Sequence, residues 1–117
     1  MINYELFLIL YDEAKQYNSL EWFISERGWQ AWMNDFEIEV ISQILEIIYE
    51  YSRCTIKDIR NKLNISRATF SRIYNIPIRT IENWDTIPSK IPVYTEELIK
   101  YTLFVKEMMS DEEDSTE

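Results

Sequence analysis

Histidine is absent from this 117-residue chain, cysteine and glycine occur once each, and proline occurs three times. Each scarcity excludes something. Without histidine there is no Ser-His-Asp triad, no Cys-His pair and no histidine-ligated zinc. The single Cys54 excludes a disulfide framework within the chain and a cysteine zinc knuckle, and it reads as a quiet structural thiol rather than a sensor. The single Gly28 excludes a Walker-type phosphate loop and a dinucleotide fingerprint, which need several glycines. So few turn formers also argue against a β fold with a tight turn every ten or so residues. No apolar run approaches the roughly 18 residues of a membrane span, and Glu5 stands where a signal peptide would carry bases. The expectation is a cytoplasmic, non-enzymatic protein with no cofactor, no metal and no membrane partner.

Hydrophobic residues make up 46% of the chain, enough for a core, and their spacing is helical throughout. An all-α fold follows: a helical N-terminal subdomain (1–53), a second helical domain (54–109) and a disordered acidic tail (110–117). Ile2, Leu6, Ile9, Leu10 and Tyr17 predict an opening helix within 2–17. Asn18 with Glu21 has capping-box spacing, which starts a second helix that stops at Gly28. Trp22, Phe23, Trp29, Trp32 and Phe36 crowd together and read as core, with a ligand cage or partner hot spot as the alternative. Asp35 is placed to cap a third helix, roughly 37–52.

That third helix has two apolar stripes, Ile38-Ile41-Leu45-Ile48 and Val40-Ile44-Ile47-Tyr51, with Glu39, Gln43, Glu46 and Glu50 opposite. The apolar face is wider than one packing partner needs. It implies burial against two bodies: its own domain and either the next domain or a second subunit. Val40, Ile44, Ile47 and Tyr51 are therefore the candidate dimer interface.

The net charge of −9 conceals a strong segregation. Residues 1–52 hold ten acids and two bases (net −8), and residues 81–117 hold ten acids and three bases (net −7). Between them, residues 53–80 hold Arg53, Lys57, Arg60, Lys62, Arg67, Arg72 and Arg79 against Asp58 alone (net +6). A basic block within an acidic chain is the footprint expected of nucleic-acid contact, with a solvated helical face as the plainer reading. Carboxylates 111–114 read as a solubilising tail, not a cation site.

The block coincides with three short predicted helices. Thr55 and Asp58 form a capping box, Ser66 caps the next helix, and Pro77 opens the third. Thr95 is placed to cap a closing helix that runs to about Met109. Phe70, Tyr74, Ile76, Ile81 and Trp84 stand where two helices crossing at a wide angle need an apolar lock, and Ser71 is small at their approach. Asn75 falls in the turn and tolerates the left-handed conformation.

Ile78, Arg79, Glu82 and Asn83 are left pointing outward from helix 77–84, as candidate base readers in a major groove, with a solvated face on which Glu82 balances Arg79 as the plainer alternative. Arg suits guanine, Asn suits adenine and Glu suits cytosine N4. Lys57, Arg60, Arg67, Thr69 and Arg72 are the candidate phosphate contacts.

Residues 55–104 resemble the Cro- and phage-repressor-type helix-turn-helix domain, the xenobiotic-response-element family. The matching stretches are Ile56-Lys57-Asp58-Ile59-Arg60, Ser66-Arg67-Ala68-Thr69-Phe70-Ser71 and Ile76-Pro77-Ile78-Arg79-Thr80-Ile81-Glu82-Asn83-Trp84-Asp85. Tyr94-Thr95-Glu96-Glu97-Leu98-Ile99 is similar to the family's end. Arg67 stands where the family often has Gln, Ser71 where it usually has Ala, and Asn75 where Gly is commonest. The resemblance implies sequence-specific binding of double-stranded DNA, usually transcriptional control by a homodimer, such as a repressor of a bacterial, phage or mobile-element operon. The acidic N-terminal subdomain leaves a second function class open. In that reading the chain binds a protein, as an inhibitor or DNA mimic of the phage anti-defence (anti-CRISPR) kind, or as an antitoxin.

Overall fold

A computed structural model describes residues 1–115, with side chains through residue 110. All regular structure among the described residues is helical. The elements are α1 (Tyr4–Ala14), α2 (Leu20–Arg27), a 3₁₀ turn (Ala31–Asp35), α3 (Ile38–Tyr51), α4 (Ile56–Lys62), α5 (Arg67–Tyr74), α6 (Ile78–Thr86), a short 3₁₀ turn (Pro88–Lys90) and α7 (Val93–Ser115). The chain divides into two compact units. One comprises Met1–Arg53 with the chain from Phe104 onward; the other is Cys54–Leu103.

In the first unit α1 and α2 both pack on α3. Phe7, Leu10 and Tyr11 of α1 and Phe23 of α2 are buried with Ile41, Ile44, Leu45, Ile47, Ile48 and Tyr51 of α3. Phe104, midway along α7, packs against Phe7 with ring centroids 5.3 Å apart and the rings tilted. The buried Tyr51 hydroxyl donates to Glu107 Oε1 at 2.7 Å. The candidate dimer interface is thereby corrected. Ile44, Ile47 and Tyr51 are buried within the single chain, so these three offer no face to a second copy, while Val40 is half-buried. Both stripes of α3 are covered intramolecularly, except at Ile38.

The aromatic cluster divides. Phe23 is core, Trp32 and Phe36 are half-buried, and Trp22 and Trp29 face solvent. Arg27, next to Gly28, pairs with Glu13 at 2.6 Å. Arg53 ends this unit with its guanidinium donating to the carbonyls of Ala14 and Tyr17 and lying over the Tyr49 ring. It closes the end of α1 instead of joining the basic surface.

Several boundaries differ from the expected ones. Ser19, not Asn18, caps α2, its hydroxyl accepting from the Trp22 amide at 3.2 Å. Asp35 ends the 3₁₀ turn, and α3 starts after Glu37 with no side-chain cap. α7 begins at Val93, directly after Pro92, whose carbonyl accepts the Glu96 amide; Thr95 therefore lies inside the first turn. The helix then continues to Ser115, well past Met109, because neither glycine nor proline follows to stop it. That replaces the expected disordered tail with helix as far as Ser115, and residues 116–117 lie outside the described residues. It also moves the expected domain end, since the chain from Phe104 belongs with the N-terminal unit.

The second unit is built on α4, α5, α6 and the start of α7, around buried Ile56, Ile59, Ile65, Phe70, Ile81, Ile91, Ile99 and Leu103. The Thr55–Asp58 capping box forms in both directions, at 3.0 and 3.1 Å. The Ser66 hydroxyl accepts the Thr69 amide at 3.1 Å to start α5. Asn75 closes that helix at φ 54° and ψ 46°, its amide donating back to the Ser71 carbonyl.

Candidate nucleic-acid interface

The turn between α5 and α6 is three residues long: Asn75, Ile76 and Pro77. Its geometry rests on Ser71, whose hydroxyl donates to the Ile76 carbonyl at 2.6 Å while the Ile76 amide donates to the Ser71 carbonyl at 3.2 Å. Sequence reasoning gave Ser71 only a small volume; its hydroxyl is a turn fastener. Pro77 sits at the cap of α6, one residue before the first helical position. Phe70 and Ile81 are fully buried beside half-buried Tyr74, Ile76 and Trp84, so all five lock residues face inward at least in part. The Tyr74 hydroxyl lies 2.5 Å from Thr102 Oγ1. Burial raises the Tyr74 phenol above its usual value of 10.0, against the lowering effect of that hydrogen bond.

Ile78, Arg79, Glu82 and Asn83 are all exposed on α6. At 3.6 residues per turn they cover an arc of roughly 140°, opposite buried Ile81. The Arg79 side chain forms no hydrogen bond or ion pair among the described residues, so its donors are open to a ligand. On α5, Arg72 donates to Thr69 Oγ1 at 3.3 Å, which also lies 3.0 Å from Ser66 Oγ. Thr69 is half-buried and positions Arg72; Arg72 itself is exposed. Lys57 and Lys62 are exposed on α4.

Arg60 is the correction within this set. It is 4% exposed, with its guanidinium paired to Asp85 Oδ2 and 3.5 Å from the Ile65 carbonyl. A phosphate cannot reach it. The signal was available in the sequence, because Arg60 lies four residues after Ile56 and adjacent to Ile59, on the apolar face of α4. Arg67 is exposed, yet its Nε donates to the same Asp85 oxygen at 3.0 Å. Asp85, read in the sequence only as an acid after Trp84, is the carboxylate that joins three helices.

The exposed bases of this unit are thus Lys57, Lys62, Arg67, Arg72 and Arg79, with Lys90 in the short 3₁₀ turn. Asp58, the only acid in the basic stretch, is held below the usual 3.8 by hydrogen bonds from the Thr55 backbone and hydroxyl, against a smaller effect of burial. No group of three acidic or thiol side chains among the described residues is placed to hold a metal ion. No helix among them is long and apolar enough to cross a membrane. Comparison of the chain with protein-family models, curated proteins and solved structures finds no match.

Proposed function

We propose that the second unit binds double-stranded DNA, presenting α6 to the major groove, and that the chain is a sequence-specific transcriptional regulator rather than an enzyme. The observation that carries this reading is the exposed Arg79–Glu82–Asn83 face of α6, in a unit that also exposes bases on α4 and α5. Arg79 with its donors unspent suits bidentate pairing to guanine O6 and N7, and Asn83 suits adenine. Lys57, Lys62, Arg67 and Arg72 supply the sequence-independent part by neutralising phosphates. A homodimer would place two such helices about 10–10.5 base pairs apart on a symmetric operator; the buried Ile44, Ile47 and Tyr51 are not available to its interface.

The test is selection of a duplex from a random library, followed by anisotropy titration of that duplex from low to moderate salt. With about four phosphates neutralised per subunit, the logarithm of affinity falls with log salt at a slope of roughly −3 to −4. A flat salt dependence, or no duplex enriched, refutes the assignment.

A further inference from the structure

The acidic unit carries apolar surface that its own core does not use. A groove of about 320 Å³ opens between α2, the first 3₁₀ turn and α3, lined by residues that include Ile24, Trp29, Met33, Ile38 and Leu45. Ile38 is 68% exposed and Trp29 62% exposed. These are the only parts of the α3 stripe and the aromatic cluster, apart from Trp22, that the fold leaves largely open. Trp29 is held in place, its indole N–H donating to Asn34 Oδ1 at 2.8 Å. A large apolar side chain fixed before a partner arrives loses little freedom on binding, and tryptophan in such a site is a typical interface anchor.

The shape and charge of the groove specify the occupant. Along α3 it is lined by Ile38, Ile41, Ser42 and Leu45, an i, i+3, i+4, i+7 strip about 10 Å long, the length of two turns of an opposing helix. Its banks are acidic. Between Lys15 and Arg53 the only base is Arg27, whose charge is taken by Glu13. The same stretch exposes Glu21, Glu26, Asp35, Glu37, Glu39 and Glu46. Glu39 and Glu46 lie three residues before and four after Ser42, so both flank that edge of the groove, and Glu21 precedes Ile24 by one turn of α2. A second copy seated face to face would set these acids against their equivalents, which disfavours self-pairing.

We infer that this groove is the docking site for a basic amphipathic helix of a partner protein, with its apolar stripe against Trp29 and Ile38 and its lysines or arginines against the acidic banks. The site shares no residue with α4–α6, so it stands independently of the DNA reading.

The experiment selects from a phage-displayed library of random peptides of about 16 residues, using the wild-type chain as bait and the Ile38→Asp variant for counter-selection. Ile38 is exposed, and circular dichroism checks that the variant keeps its helix content. The expected result is enrichment of peptides with apolar residues at helical spacing flanked by Lys or Arg. The best of these, made synthetically, should lose about tenfold or more in affinity to Ile38→Asp and separately to Trp29→Ala. Its binding should also weaken as salt rises. Enrichment that is the same on both baits, enrichment of acidic or uncharged peptides, or full affinity in Trp29→Ala overturns the inference. A wild-type dimer seen by light scattering and dissolved by Ile38→Asp also overturns it, since the occupant would then be a second copy.

Discussion

Arg60 and Asp85, 25 residues apart in sequence, form a buried ion pair that ties α4 to α6. Asp85 also receives Arg67 from the start of α5, so one carboxylate holds three helices in register. Arg60 Nε has no hydrogen-bond partner among the described residues, which leaves the buried pair incompletely satisfied. Removing Asp85 strands a buried guanidinium. We expect Asp85→Ala to cost about 3–5 kcal/mol of stability, and a paired Arg60→Met, Asp85→Leu replacement to cost much less. Urea denaturation followed by circular dichroism measures both; equal losses in the two variants would show that packing, not charge, sets the contribution.

Asn75 is the one residue of the α5–α6 turn in the left-handed region. Asn75→Gly should be neutral or slightly stabilising, whereas Asn75→Ala should cost about 1 kcal/mol, because a Cβ without a locally bonding side chain is strained there. Thermal melts of the two variants compare them directly. Alanine melting level with glycine would contradict the turn geometry.

The pH dependence of α4 follows from Asp58. Its folded value lies below the ordinary 3.8, so the carboxylate form is favoured by folding. The stabilisation is fully present above the unfolded value and is lost as pH falls from there through the folded one. Carboxylate chemical shifts over an acid titration should place the Asp58 midpoint below that of exposed aspartates. Thr55→Ala, which removes the hydroxyl, should move the midpoint upward.

Two variants separate base reading from phosphate contact. Arg79→Ala should remove about 1–3 kcal/mol of binding to the selected duplex and relax its preference at one base position. Lys57→Ala should weaken all duplexes alike and reduce the salt slope by about 1. Competition titrations with single-base variants of the duplex distinguish the two patterns. Wild-type selectivity in Arg79→Ala would remove that residue from the reading face.

Much of the second unit was legible because its signals are local. Thr55 with Asp58, Ser66 with Thr69, and Asn75 in the turn each act across three or four residues, and each is found as the sequence implies. The exposed positions of α6 were legible for the same reason, since helical spacing fixes which side chains share a face. Arg60 shows that position outweighs residue type: a charged side chain on an apolar face is buried when a partner waits there, and its partner Asp85 lies on another helix. Thr95 and Asp35 show the converse limit. Both are good capping residues, but the helix start is set by Pro92 in one case and by the preceding 3₁₀ turn in the other.

The sequence by itself determined the helical class, the caps of α4 and α5, the segregation of charge and the chemistry excluded by the missing histidine and the lone cysteine. Composition and short-range spacing suffice for these. Only the tertiary structure decided how the wide apolar face of α3 is spent, which tryptophans stay in solvent, and that the chain from Phe104 joins the N-terminal unit. Hydrophobic burial is non-directional: an isoleucine stripe states that it needs a cover without stating which helix supplies it. That choice is made by chain geometry, as α1, α2 and the Phe104–Glu107 stretch of α7 close over α3 and leave Ile38 and Trp29 outside.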